Sequence, residues 1–234
     1  MDCREKGEKY LGYAALCKKI TAWRNSDEFS FLANAPAQPL QQSVKDLDRA
    51  FQNFFAGRAG FPRFKKKGNR DVFRYPQPDQ FKLKEENNRI FLPKLGWIRY
   101  RNSRNVSGTP KQITVFRAAD GWYVSIQTEQ EINPQRPLND SAIGIDLGIT
   151  AFATLSDGTK YSAPNVFRRS EKRLARVQRK LSRKQKFSVN WRKQLHKVQK
   201  MHKIISDIRR DFLHKVTTII CKNHAVVVIE DLGQ

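Results

Sequence analysis

The chain has 234 residues, 39% of them hydrophobic, and carries 45 Lys and Arg against 22 Asp and Glu, a formal net charge of +23. That length suits one large domain or two small ones, and such an imbalance costs compact stability unless a polyanion is bound, which makes nucleic acid the leading partner. The composition excludes a membrane-spanning helix, because no apolar segment approaches the ~18 residues required; it shows no secretory h-region, and Cys3, Cys17 and Cys221 form no Cys-x-x-Cys pair, which leaves structural zinc and a disulfide framework unsupported and fits a reducing cytoplasm.

In chain order, residues 1–57 are expected to be helical. Leu11, Ala14, Ala15 and Cys17 give a weak apolar face. Val44, Leu47, Phe51, Phe54 and Phe55 recur at the helix period, with Pro36 and Pro39 at the start and Gly57 as the stop, and Leu47 and Phe51 are expected in the core. Residues 60–70 form a basic loop with Phe61 and Phe64 interleaved. Its aromatics either anchor the loop or stack on bases while Arg63, Lys65, Lys66, Lys67 and Arg70 meet phosphates. Over 72–130, short stretches at Phe81–Lys84, Arg89–Leu92, Trp97–Tyr100, Gln112–Arg117 and Trp122–Thr128 are separated by turn signals, the pattern of a small barrel or sandwich. Residues 131–140, with Asn133-Pro134 and Arg136-Pro137, are a linker.

Three consecutive strands are expected at roughly 142–147, 150–155 and 159–162. A helical hairpin over 165–222 follows, and then a strand at 225–230. Leu174, Val177 and Leu181 form one stripe of the hairpin. Leu195, Val198, Met201, Ile205, Ile208, Phe212, Val216 and Ile219 form the other. Residues 164–222 contain 19 Lys and Arg against Glu171, Asp207 and Asp211, a charge of +16. This exceeds what solubility requires. Arg168, Arg169, Lys172, Arg173, Arg176, Arg179, Lys180, Arg183 and Lys184 are the candidate phosphate contacts.

Two of these strands end on acids, Asp146 after an Ile-rich run and Glu230 after a run of valines. Strand, strand, strand, helix, strand with an acid on the first and last is the opening of an RNase H-like fold. There the two acids lie side by side at the carboxyl ends of parallel strands, in a crevice. Two such carboxylates need a counter-charge to stay ionised. Mg²⁺ suits them, because it takes oxygen ligands and keeps waters for a phosphate. In a two-metal site Asp146 would anchor the metal and Glu230 would hold it beside an attacking water. His196, His202, His214 and His224 show no ligand spacing.

Gln41 to Phe51, followed by Gly60 to Lys65, resembles the OrfB/TnpB proteins of bacterial insertion sequences. Gly144 to Gly148 and Val228 to Leu232 resemble that family's first two RuvC motifs. The resemblance covers nearly the whole chain and implies a mixed α+β and α/β architecture in three parts. These are a helical recognition-lobe remnant at 1–57, a wedge-like β-barrel at 58–135, and the N-terminal part of a RuvC-like nuclease at 136–234 with a basic helical hairpin insert. It implies a cytoplasmic bacterial protein of transposition and DNA recombination, an RNA-guided, Mg²⁺-dependent DNA endonuclease with DNA and a guide RNA as partners. Base pairing would supply most of its specificity. Asp146 and Glu230 take the places of the family's first two acids. The family's zinc ribbon and third acid have no counterpart here, so the chain is expected to be truncated at both ends and to bind nucleic acid without cutting it. The alternatives are a catalytically silent nucleic-acid-binding module and, more remotely, an actin- or Hsp70-type ATPase, whose phosphate-binding hairpin Gly144 to Thr150 also resembles.

Overall fold

Pro36 is the extended N-cap of a helix that tolerates Pro39 in its first turn, where a backbone N–H has no intrahelical partner, and a periodic apolar stripe then carries that helix to Phe55. The computed structural model describes residues 10–65, 68, 71–131 and 141–230. They divide between two compact units, Met1–Glu131 and Ile132–Gln234. Among the described residues the first unit holds helices α1 (Tyr13–Arg24) and α2 (Ala37–Phe55) and strands β1 (Val72–Tyr75), β2 (Lys82–Lys84), β3 (Arg89–Leu92), β4 (Gly96–Arg99), β5 (Thr109–Arg117) and β6 (Trp122–Glu129).

Helix α2 buries Val44 and Asp48, and the ring of Phe51 lies against Tyr10 at 5.0 Å. Leu47, expected in the core, is 44% exposed. The inward stripe runs through 44, 48 and 51, and Leu47 lies about 40° beyond its Phe51 edge. A carboxylate takes the core position because its oxygens are satisfied: Tyr10 Oη donates to Asp48 at 3.0 Å and Gln52 Nε2 at 2.6 Å. Burial, then the Asp48 carboxylate, raises the Tyr10 phenol to about 12. Tyr10→Phe is expected to destabilise the chain by about 1 kcal/mol in urea titrations, a charge-assisted hydrogen bond discounted for Tyr10's exposure. Because the folded pKa is the raised one, this contribution is complete below about pH 10 and disappears as pH rises toward 12.

The β region is two antiparallel sheets, ordered β1-β5-β6 and β2-β3-β4, that share one core of Tyr75, Phe81, Ile90, Leu92 and Ile113. The expected wedge-like barrel is not closed. Strands β2 to β4 span three or four residues each, too few for the tilt and stagger that closure demands. Pro110 is accommodated by a bulge between Pro110 and Gln112. A Cβ at Gly108 (φ +81°) would come within 2.4 Å of the Glu129 carbonyl oxygen, so glycine is required there.

The second unit holds β7 (Ala142–Asp146), β8 (Ala153–Leu155), β9 (Lys160–Tyr161), helices α3 (Val166–Ser182) and α4 (Val189–Asn223), and β10 (Val226–Ile229). The sheet order is β10-β7-β8-β9, with β10 parallel to β7 and the other pairs antiparallel. The hydroxyl of Ser188 accepts from Trp191 N at 3.1 Å and caps α4. The first half of α4 packs on α3 through Val198, Met201 and Ile205 against Val166 and Leu174. Its second half packs Val216 and Ile220 on Ile143 and Leu155 of the sheet. Ile208 and Ile219, expected on this stripe, are 44% and 48% exposed, and Gln194 and Ile220 are buried. A straight helix drifts against a seven-residue repeat, so position 220 rather than 219 returns to the sheet. Gln194 is tolerated because its amide donates to the Val177 carbonyl at 2.9 Å.

Candidate functional site

Strands β7 and β10 are runs rich in Ile, Val, Ala and Gly that pair in parallel, burying Ile143 while Val226, Val228 and Ile229 stay exposed. Their register sets Ile145 opposite Ile229. Asp146 and Glu230 are the next residues, so they lie one strand spacing apart, on the order of 4.8 Å. Ile143, Ile145 and Val227 face α4. By alternation Asp146 and Glu230 share the opposite face with Gly144, Val226 and Val228, and both acids are exposed. Neither forms an ion pair among the described residues.

The row continues across the sheet. Asp146 pairs with Thr154, and Thr154 with Lys160. Acid, acid, hydroxyl and ammonium therefore stand side by side on one face. Thr154 and Lys160 carry no sequence signal that places them here, because only the register aligns them with the acids. Two exposed carboxylates on adjacent strands fit a hard divalent ion that keeps its remaining waters. Among the described residues no group of three or more His, Cys, Asp or Glu could hold a metal. The described cysteines, Cys17 and Cys221, are free.

On α3, Leu174 is buried, and Val177 and Leu181 pack beside it. Arg168, Arg169, Lys172, Arg173, Arg176, Arg179, Lys180 and the C-cap residue Arg183 are all exposed, as is Lys184 beyond. At 100° per residue, the first eight fall in one continuous arc of about 140°. Two of the hairpin's acids are occupied on α4, Asp207 by Lys203 and Asp211 by Lys215.

In the first unit the basic loop divides its aromatics. Phe61 packs edge-on against Phe51 and Phe54, at 5.7 and 5.3 Å. Phe64 is 92% exposed between the exposed Arg63 and Lys65. Lys66, Lys67 and Arg70 lie outside the described residues.

The sequence profile of the OrfB_IS605 family, described as "Probable transposase", matches residues 125–233. A protein of Escherichia coli (strain K12) named "Putative RNA-guided DNA endonuclease InsQ" is 54% identical over 228 residues, which cover 97% of this chain and 56% of the relative. A Streptomyces pristinaespiralis protein of the same description is 37% identical over 230 residues, 96% of this chain and 56% of that one. Rv2885c of Mycobacterium tuberculosis (strain ATCC 25618 / H37Rv), described alike, is 30% identical over 191 residues, 74% of this chain and 41% of the relative. The chain thus spans about half the length of the curated relatives it matches. No described helix is long and apolar enough to cross a membrane. With the two strand-end acids adjacent and these relatives alongside, the chain belongs to the OrfB family of insertion-sequence transposase-type proteins.

Proposed function

We propose that this chain works in RNA-guided, Mg²⁺-dependent DNA cleavage linked to transposition, with DNA and a guide RNA as partners in the bacterial cytoplasm. In this reading residues 136–234 are part of a RuvC-like, RNase H-like nuclease, 58–135 a wedge-like module and 1–57 a recognition helix segment. The observation that carries it is the parallel register of β7 and β10, which sets Asp146 beside Glu230 in the same unit as the basic arc of α3. Asp146 and Glu230 would hold the metal. When bound, Mg²⁺ supplies a polarised phosphoryl oxygen and an acidified water. The α3 cations hold the sugar–phosphate backbone and Lys160, on the same row as the acids, offsets phosphate charge there. Arg63, Lys65, Lys66, Lys67 and Arg70 add backbone contacts, with Phe64 stacking on an unpaired base.

A second reading, a nucleic-acid-binding module without cleavage, is favoured by one observation: no three-ligand metal group occurs among the described residues. A supercoiled-plasmid nicking assay, run with a guide RNA complementary to the plasmid in Mg²⁺ and in EDTA, separates the two. The first reading expects Mg²⁺-dependent nicks that vanish in Asp146→Ala. The second expects no nicks and salt-sensitive binding that Asp146→Ala leaves unchanged.

A further inference from the structure

We infer that the outer face of the β2-β3-β4 sheet is a platform for single-stranded polynucleotide, where Phe91 and Trp97 stack on bases and Lys84, Arg89 and Arg99 hold phosphates. Register creates the platform. Lys84 pairs with Arg89, and Arg89 with Arg99; in the next row Lys82 pairs with Phe91, and Phe91 with Trp97. Directly paired residues share a face, as do residues two apart on a strand, so all six side chains lie together. The other face sends Ile90 and Leu92 into the core.

Three cations directly opposite one another oppose the pairing of such short strands, since like charges at facing positions destabilise a sheet. Among the described residues none of the three forms an ion pair. Of the two acids in the adjoining turn, Glu85 accepts from Val106 N at 3.2 Å, and Glu86 is exposed beside it. A bound polyanion turns that repulsion into attraction. The aromatic row points to unpaired bases rather than duplex, because only a splayed base offers its face. The Phe91 and Trp97 rings lie 5.5 Å apart, and Trp97 is 41% exposed. Lys84 Nζ stands 4.9 Å from the indole centroid, within reach of the phosphate of a base stacked there.

A cleft of about 450 Å³ adjoins the row, lined by Asn88, Arg99, Tyr100, Arg101 and Asn102. The Tyr100 hydroxyl is buried with no hydrogen-bond partner. Tyr100 packs toward the core, and Arg99 and Arg101 bring further cations to the cleft. This surface lies in the unit that does not contain Asp146 and Glu230, so the inference goes beyond the cleavage reading and needs no metal.

The test uses the whole chain in EDTA, with Arg169, Arg173, Arg176 and Lys180 changed to Gln so that α3 does not mask the result. Fluorescence anisotropy is read with labelled oligo(U), oligo(dT) and a blunt duplex. Trp97→Leu is expected to weaken single-strand binding about 10-fold, the effect of one lost base stack, and to leave duplex binding unchanged. Arg89→Gln combined with Arg99→Gln is expected to flatten the single-strand salt slope by about 1.4. That pair relieves like-charge repulsion, so its thermal midpoint should not fall, and its loss of affinity is not misfolding. A preference for oligo(U) identifies RNA as the source of the strand, and a preference for oligo(dT) identifies DNA. Single-strand affinity unchanged in both variants, or lost equally on duplex, overturns the inference whatever the fate of the cleavage reading.

Discussion

Changing Arg169, Arg173, Arg176 and Lys180 together to Gln is expected to lower the affinity of this chain for duplex DNA by about three orders of magnitude near physiological salt. The reason is counterion release: each phosphate neutralised adds about 0.9 to the slope of log K against log salt, so four lost contacts flatten it by about 3.6. All four side chains are exposed, lie in the cationic arc of α3, and stand clear of the Leu174 face that packs on α4. Gln retains the helix propensity of Arg and Lys closely, so far-UV circular dichroism should not change. Titrations across salt concentrations check the result. An unchanged slope would remove α3 from the nucleic-acid surface, and a uniform loss without a change of slope would point to damage elsewhere.

Sequence pattern and physical structure diverge where pairing register intervenes. The Ile and Val runs ending at Asp146 and Glu230 identified both strands, and +16 in one hairpin identified the basic surface, because hydrophobic runs and charge are local properties. Thr154 and Lys160 joined the acids only once β8 and β9 were aligned on β7. The row of Lys84, Arg89 and Arg99 was hidden for the same reason: the three are scattered along the sequence, and a one-residue slip would put one of them in the core. Strand β1 fell in the expected β region without being assigned, since Phe73 and Tyr75 show only two alternating positions. Leu47 and Asp48 exchanged places because hydrogen bonds from Tyr10 and Gln52 made a carboxylate acceptable inside. The barrel failed on length, which composition does not record.

Replacing Asp146 by Asn is expected to act with opposite signs on cleavage and on stability. The cleavage reading places the carboxylate against metal, so any Mg²⁺-dependent nicking should fall by about 10³-fold or more, roughly 4 kcal/mol of transition-state stabilisation. Without divalent ion, the wild-type chain holds two exposed carboxylates at neighbouring positions on parallel strands, and neither has a cation partner among the described residues. Facing like charges cost a sheet roughly 0.2–1 kcal/mol, and the amide removes the repulsion while keeping the shape. The variant should therefore melt slightly above wild type in EDTA. Adding Mg²⁺ or Mn²⁺ should reverse the order, because a ligand bound only by the folded state stabilises it by RT ln(1 + [L]/Kd), and the neutral amide lacks the charge that binds the ion. Glu230→Gln should behave alike, and the double variant should add little, since the first change already breaks the pair. Melting curves with and without the ion decide this independently of any nuclease assay. A wild-type chain whose melting point ignores both ions would separate Asp146 and Glu230 from metal and leave them as strand-end acids.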